Sequence, residues 1–107
     1  MSETTKIKEF SQSGGSRIGQ GWFGAINTSC FVRLFATAAH IEMSGGGAEL
    51  WFPKSDIIRL RRHSSTGLKI EHAVAGFPKL VIFMSRDFEE LNAGLQALGY
   101  QVVDGDH

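Results

Sequence analysis

The sequence predicts a mainly β domain of the α+β class that ends in a single helix. From Trp22 onward, aromatic and β-branched residues occur in short runs that are separated by turn signals at intervals of about 8 to 12 residues, a pattern typical of antiparallel strands. Towards the end of the chain, apolar residues recur at spacings of three and four, which is typical of an amphipathic helix. The chain has 107 residues, of which 42% are hydrophobic, so we expect one small globular domain.

Charge and cysteine content argue against several classes of function. Eleven Lys and Arg residues balance 11 Asp and Glu residues. A neutral chain of this kind is not expected to coat nucleic acid or to hold a membrane through a polybasic segment. The single Cys30 cannot form an internal disulfide, and its apolar neighbours predict a buried thiol in a reducing compartment. The sequence has no apolar run of signal-peptide or membrane-span length, so we expect a cytoplasmic protein.

Composition divides the chain into three regions. Residues 1–20 are polar and include the Gly/Ser-rich stretch Ser11–Ser16, which has neither helical nor strand periodicity, so we expect a flexible N-terminal arm. Residues 21–103 carry the periodic apolar pattern and are expected to form the domain. Residues 104–107 are expected to be a frayed tail.

The first strands of the domain are predicted from alternation and from turn residues. In the run Cys30–Ala36, Val32 and Leu34 alternate with Arg33, so this strand can bury one face and expose part of the other. The segments His40–Met43 and Ala48–Phe52 flank Gly45–Gly47, whose residues tolerate a positive φ. These two segments are therefore predicted to form a hairpin.

A further strand is predicted over Ile57–His63. Strict alternation places Ile58 and Leu60 on one face of this strand. It places Arg59 and Arg61 on the opposite face, together with Ile57 and His63. Ile58 and Leu60 are therefore expected to share one face, and Arg59 and Arg61 are expected to project together from the other.

Two more strands complete the predicted sheet. In the run Leu68–Val74, Leu68, Ile70 and His72 fall on one side, and His72 is expected to be a histidine at the edge of the core that bonds to backbone. The run Lys79–Met84 is apolar on both faces, which predicts a strand covered on both sides.

The last element is predicted to be a capped helix. Asp87 and Glu90 have the spacing of a capping box. An apolar stripe follows, made of Phe88, Leu91, Leu95 and Leu98. Gly99 directly after this stripe is the residue expected where a chain leaves a helix in a left-handed conformation.

This order of strands and helix resembles the small bacterial domains related to the pleckstrin-homology and GRAM superfamily. The resemblance covers residues 21–103 and rests on the runs Gly21–Asn27, Val32–Leu34, Phe52–Pro53, Ile57–Leu60, Gly67–His72, Pro78 and Val81–Phe83. It implies a rolled antiparallel barrel of two nearly orthogonal sheets, with the C-terminal helix capping one open end. Relatives often bind phosphoinositide head groups through Lys and Arg in the loop after the first strand. The corresponding segment here, Thr37–Ala39, has no basic residue, so that activity is not expected at this loop.

A basic strip is the first candidate binding site. Residues 54–63 contain four cationic side chains, and these are Lys54, Arg59, Arg61 and Arg62. Arg59 and Arg61 fall on the same strand face and can hold carboxylate or phosphate oxygens. The alternative interpretation is a solvated edge strand whose arginines pair with Glu71 and Glu42 across the sheet.

An aromatic surface is the second candidate. Trp22, Phe23, Trp51 and Phe77 fall in or near predicted loops. If such rings cluster at the surface, they mark a protein interface, since rigid rings bury a large area at a small entropic cost. The alternative is that they pack on the core. Self-association through a sheet edge is the simplest form of such an interface.

Cofactor and catalytic interpretations have less support. The segment Gly19–Gly24 matches the spacing of a dinucleotide loop, but that mechanism requires a strand before it and a helix after it, and the sequence predicts neither. Cys30 is not surrounded by a signature of cysteine enzymes, and the histidines lack the spacing of a zinc site.

We therefore predict a non-catalytic module that binds a protein or a peptide, with a homo-oligomer as one form of that interaction. Two alternatives remain open. One is a peripheral binder of anionic lipid head groups through Lys54, Arg59, Arg61 and Arg62. The other is a small enzyme that uses Cys30 and a histidine. We expect no cofactor, no metal and no nucleic acid.

Overall fold

The computed structural model describes residues 9–20, 25–45 and 48–104 of the chain, which form one sheet and one helix. The strands are β1 (Glu9–Gln20), β2 (Ala25–Thr37), β3 (His40–Gly45), β4 (Ala48–Pro53), β5 (Ile57–His63), β6 (Gly67–His72), β7 (Val81–Ser85) and β8 (Val102–Val103). The helix α1 spans Phe88–Ala97, and a short 3-10 turn spans Lys54–Asp56. The prediction of a mainly β fold with one helix near the C-terminus is therefore confirmed.

The eight strands form a single sheet in the order β4-β3-β2-β1-β7-β6-β5-β8. Every neighbouring pair is antiparallel except β5 and β8, which run parallel. Strands β4 and β8 lie at the two ends of this order, so hydrogen bonds do not close the sheet within the described part of the chain. No helix among the described residues is long and apolar enough to cross a bilayer.

The helix packs its apolar stripe on the inner face of the sheet. Phe88, Leu91, Leu95 and Leu98 are all buried in the same core cluster as the inward residues of the strands. Strand β6 contributes Leu68 and Ile70 to this core, as the alternation predicts. Strand β7 lies between β1 and β6 and is buried on both faces, as its apolar sequence predicts, except at Met84, which is half-buried.

The termini of α1 are fixed by hydrogen bonds at the two positions that the sequence predicts. The Asp87 carboxylate accepts from the amide of Glu90 at 3.1 Å, so Asp87 is the N-cap. Gly99 has a φ of 95°, and its amide donates to Gln96 while the next amide, of Tyr100, donates to Leu95. This pair of bonds is a Schellman motif, which satisfies carbonyls at the end of the helix.

The N-terminal segment differs from its expected irregular structure. Instead of an arm over residues 1–20, Glu9–Gln20 form β1, which pairs with both β2 and β7. The inward residues of β1 are Gln12, Gly14, Ser16 and Ile18, which are buried although three of them are polar or lack a side chain. The strand therefore has no apolar periodicity to read. Residues 1–8 lie outside the described part.

The glycines of this segment allow β7 and β2 to lie close to β1, and they do not form a loop. A Cβ on Gly14 would lie 2.2 Å from the carbonyl oxygen of Met84, and one on Gly15 would lie 2.6 Å from that of Ser29. Side chains at these positions would therefore push β7 and β2 away from β1. The same composition that suggests a flexible linker here permits a tightly packed strand.

A β-bulge in β2 changes the environment of Cys30. Gly14 pairs with Val32, whereas Ser16 pairs with Ser29, so Cys30 and Phe31 together oppose Gly15. Both side chains consequently face outward, and Cys30 is exposed. The prediction of a buried thiol is wrong, because it assumed an uninterrupted alternation.

A second bulge corrects the predicted faces of β5. Ile57 pairs with His72 and Arg59 pairs with Glu71, which leaves Ile58 as the extra residue. Ile57 packs against the core, while 65% of Ile58 is exposed. Leu60 is buried, so the prediction that Ile58 shares its face is wrong.

Candidate functional site

The two arginines that the sequence places on one face of β5 are engaged within the sheet. Nε of Arg59 lies 3.1 Å from one carboxylate oxygen of Glu71, and Nε of Arg61 lies 3.2 Å from the other. Glu71 lies on the neighbouring strand β6, directly opposite Arg59. The structure thus brings Arg59 and Arg61 together, but around a carboxylate of the same chain.

The other two cations of the strip also make internal contacts. Lys54 donates to the carbonyl of Gly99 at 3.2 Å and lies 5.1 Å from the ring centre of Tyr100. Arg62 donates to the carbonyl of Ser65 at 2.9 Å, and its guanidinium lies 4.3 Å from the ring centre of Phe88. These contacts hold the two cationic groups against the protein surface, where Lys54 remains exposed to solvent.

Lys54 and Arg59 also line a depression of about 330 Å³ between the start of β5 and residues 99–103. The exposed Ile58 forms part of its rim. Arg61 and Arg62 do not line this depression, so the four predicted residues do not converge on one site.

The predicted aromatic residues are dispersed. Trp22 and Phe23 lie outside the described residues. Trp51 is 48% exposed and stacks on the imidazole of His40, with ring centres 4.6 Å apart. Phe77 packs edge-on against Phe52 at the margin of the core. The described aromatic candidates therefore do not form one patch.

The histidines have structural partners. His72 is buried; its Nδ1 accepts from the amide of Val74 at 3.0 Å, so Nε2 carries the proton and donates to the carbonyl of Pro78 at 2.8 Å. This confirms the expected backbone-bonded histidine at the edge of the core. Nε2 of His40 lies 2.7 Å from the carboxylate of Glu42, and its Nδ1 lies 3.1 Å from the hydroxyl of Thr37.

A groove on the outer face of the sheet is the best candidate binding site. It has a volume of about 550 Å³ and crosses β3, β2, β1 and the end of β7 at the bulge. Its floor is formed by small residues, which are Ser13, Gly14, Gly15, Ser29 and Ser44. Because Ser13, Gly15 and Ser44 present small side chains or none on the outer face, a depression forms above them, which we call the outer groove.

One row of the outer groove is apolar. Phe31 stands beside Gly15, and Gly15 pairs with Met84 of β7. Phe31 is 88% exposed, the largest exposed fraction of any large apolar side chain among the described residues. The row Phe31, Gly15 and Met84 therefore offers an apolar surface with a gap above the glycine.

A basic row runs beside the apolar one. Arg33 pairs with Ser13, and Arg86 follows Ser85, whose partner is Gly14. Both arginines are exposed and both line the outer groove. They lie on either side of Ser13, and their backbones are two strand spacings, or about 10 Å, apart. Of the described residues that line the groove, none is acidic.

The outer groove is absent from the sites that the sequence predicts. Alternation in β2 does predict that Phe31 points outward, because Val32 and Leu34 point inward. This alternation is the one feature of the sequence that could have indicated the site. The position of the glycines in the floor, and the position of Arg86 beside Arg33, which precedes it by more than 50 residues, depend on the pairing of distant strands. The bulge that turns both Cys30 and Phe31 outward depends on it as well.

Comparison with known proteins yields no identification. No protein-family model matches the chain, and no curated protein matches it. Among the described residues, no group of three or more His, Cys, Asp and Glu side chains is placed to hold a metal ion. The function must therefore be argued from the outer groove itself.

Proposed function

We propose that this chain is a non-catalytic interaction module that binds a protein or peptide segment in the outer groove. The observation that carries the proposal is the 88% exposure of Phe31 beside a groove floored by glycine and serine. Exposing so large an apolar ring costs free energy in water, and a partner that covers it recovers about 25 cal/mol for each Å² buried.

The fold proposed for this module is the pleckstrin-homology or GRAM-like class. Support comes from the order of seven strands that pair antiparallel, followed by α1, whose apolar stripe packs on the inner face of the sheet. A bacterial cytoplasmic setting goes with this assignment. Binding in the outer groove does not depend on it, since the site is defined by its own residues.

The peptide-binding proposal is tested by selection from a phage-displayed library of random dodecapeptides. We compare the wild-type chain with Phe31→Ser and use Ile58→Ser as the matched control, because Ile58 is also a highly exposed apolar residue but lies outside the outer groove. We expect the wild type and Ile58→Ser to enrich the same consensus.

The selected consensus peptide should bind Phe31→Ser at least about tenfold more weakly than the wild type, as measured by fluorescence anisotropy. Sedimentation velocity of the chain alone tests the self-associating form, in which a dimer dissociates on the same substitution. A consensus that is unaffected by Phe31→Ser, or no consensus and no dimer, would refute the proposal.

The lipid-binding alternative has weaker support. Arg59 and Arg61 share the Glu71 carboxylate, which neutralises part of the strip's charge. If the strip nevertheless binds lipid, Glu71→Gln should strengthen sedimentation with phosphatidylglycerol vesicles, and about 0.5 M salt, roughly three times physiological ionic strength, should abolish it. We expect neither the wild type nor Glu71→Gln to sediment with such vesicles.

The enzyme alternative also has weaker support. Both ring nitrogens of His40 and of His72 are engaged by partners other than Cys30. A cysteine nucleophile needs an adjacent base or a depressed pKa to react quickly at neutral pH. Alkylation of Cys30 by iodoacetamide at neutral pH should therefore proceed at the rate of an ordinary exposed thiol.

A further inference from the structure

From the two parallel rows of the outer groove, we infer that the partner segment is acidic, and that it presents an apolar side chain between two carboxylates in an extended conformation. This inference rests on the proposed function, because it names the chemistry of the segment that occupies the same groove. It assigns Arg33 and Arg86 as the residues that select the partner.

The described lining of the outer groove is positively charged. Arg33 and Arg86 are exposed, and the described lining of the outer groove contributes two positive charges and no negative one. A guanidinium presents a planar array of donors that matches a carboxylate. Charge complementarity therefore favours a segment that carries carboxylates over a neutral or basic one.

The apolar and basic rows of the outer groove are separated along the strand direction. Phe31 and Arg33 are two residues apart on β2, so the apolar and basic rows lie about 6.6 Å apart along the strand direction. The groove itself runs across the strands. A chain that lies in the groove therefore has the basic row along one flank and the apolar row along the other.

An extended segment in the outer groove presents its side chains with a fixed repeat. In an extended chain, successive side chains point to opposite sides, and those on one side recur about every 6.6 Å. A segment lying between the rows directs its first and third side chains to Arg33 and Arg86. Its second side chain then fits over Gly15, between Phe31 and Met84. The pattern is acidic, apolar, acidic.

The reach of the arginines accommodates this spacing. Two strand spacings separate their backbones by about 10 Å, while the two carboxylates of the segment lie about 7 Å apart. Long flexible arginine side chains close a difference of this size. Ser13, which lies between them, leaves the space open for the incoming chain.

The test uses four octapeptides with acetylated and amidated ends, so that no terminal charge takes part. Their central residues are Glu-Leu-Glu, Gln-Leu-Gln, Glu-Ser-Glu and Leu-Glu-Glu, flanked by glycine and serine. Binding is measured by NMR titration of backbone amides to millimolar peptide, at low and at high salt.

We expect the Glu-Leu-Glu peptide to bind about tenfold more tightly than the other three, to shift the amides of Ser29 to Arg33, and to weaken as salt is raised. The double variant Arg33→Gln/Arg86→Gln should lose the preference for Glu-Leu-Glu over Gln-Leu-Gln. The control Arg59→Gln/Lys79→Gln removes the same charge outside the outer groove and should retain it.

Several results would overturn the inference. One is equal binding of the four peptides, and another is the absence of any shift of the groove amides. A third is an equal loss of the preference for Glu-Leu-Glu in both double variants. The last is binding of a second copy of the chain, or of phosphatidylglycerol vesicles, at the outer groove. If library-selected peptides still depend on Phe31 while Glu-Leu-Glu shows no preference, the inference fails and the proposed function stands. If no peptide depends on Phe31, both fail.

Discussion

The hydroxyl of Tyr100 donates a 2.7 Å hydrogen bond to the backbone carbonyl of Thr37. This bond ties the segment that leaves α1 to the end of β2, which lies 63 residues earlier in the chain. The ring itself is buried in the core, and that burial raises the pKa of Tyr100 from 10.0 to about 12. This hydrogen bond therefore attaches the end of the helix to the sheet, and it forms only while the phenol is neutral.

Tyr100 should make the protein sensitive to alkali. In the unfolded chain the phenol ionises near pH 10, and in the folded protein near pH 12. Its stabilising contribution is thus complete below pH 10 and is lost as the pH rises towards 12. Because Tyr100 is the single tyrosine, absorbance of the phenolate near 295 nm follows its titration directly.

The matching variant is Tyr100→Phe. It removes the donor to Thr37 and should lower the free energy of unfolding by about 1 kcal/mol at pH 7 in urea denaturation. The difference between wild type and variant should shrink between pH 10 and pH 12. A difference that stays constant over this range would contradict the assigned role of the phenol.

Gln12 should be required for the packing of α1 against the sheet. Its buried side chain donates to the carbonyl of Asp87 at 3.0 Å and to the Glu90 carboxylate at 2.8 Å, and it accepts from the hydroxyl of Ser85 at 2.6 Å. Gln12→Ala leaves these partners without their bonds and should cost about 2 to 3 kcal/mol in chemical denaturation. The neighbouring Ser13→Ala lies on the exposed face and should change stability by less than about 0.5 kcal/mol.

The substitution Gly94→Ala should destabilise the protein, although alanine normally stabilises a helix. Alanine normally stabilises a helix interior by about 1 kcal/mol relative to glycine. A Cβ at Gly94, however, would lie 2.2 Å from the ring of Phe10 in β1. We expect Gly94→Ala to destabilise the protein by about 1 to 3 kcal/mol in thermal or urea unfolding.

A double-mutant cycle separates the two effects at Gly94. In a Phe10→Ala background the clash is gone, so the same Gly94→Ala change should become neutral or stabilising. If Gly94→Ala destabilises both backgrounds equally, contact with Phe10 is not the cause.

The bulge in β5 should be visible in two neighbouring substitutions. Ile57 packs against the core, so Ile57→Ala should cost about 1 to 2 kcal/mol. Ile58 is 65% exposed, so Ile58→Ala should change stability by less than about 0.5 kcal/mol. Equal costs in urea denaturation would mean that both residues are buried and that the bulge is absent.

The sequence is informative wherever local chemistry decides the conformation. The helix α1 is predicted with both of its ends, because Asp87 and Gly99 act on backbone groups within one turn. The hairpin of β3 and β4 is predicted for a similar reason, since consecutive glycines favour the reversal between them. The alternation in β6 also survives, because no bulge interrupts that strand.

The sequence is uninformative about β1 because the sheet, and not the chain itself, decides what that strand buries. Its inward Gln12 is held by bonds to Ser85, Asp87 and Glu90, residues that follow it by more than 70 positions. A strand whose buried face is polar or glycine lacks the alternation by which strands are recognised. Long-range partners make such a face stable.

By itself, the sequence determined the class of fold, the helix with its caps, and the strands whose buried faces are apolar, because each of these follows from local periodicity and backbone preference. The tertiary structure alone decided the bulges at Phe31 and Ile58 and the placement of Arg33 and Arg86 in one groove, and it selected the pairing of Arg59 and Arg61 with Glu71 from the two alternatives that the sequence left open. The register between distant strands sets these relationships, and register is a property of the whole sheet.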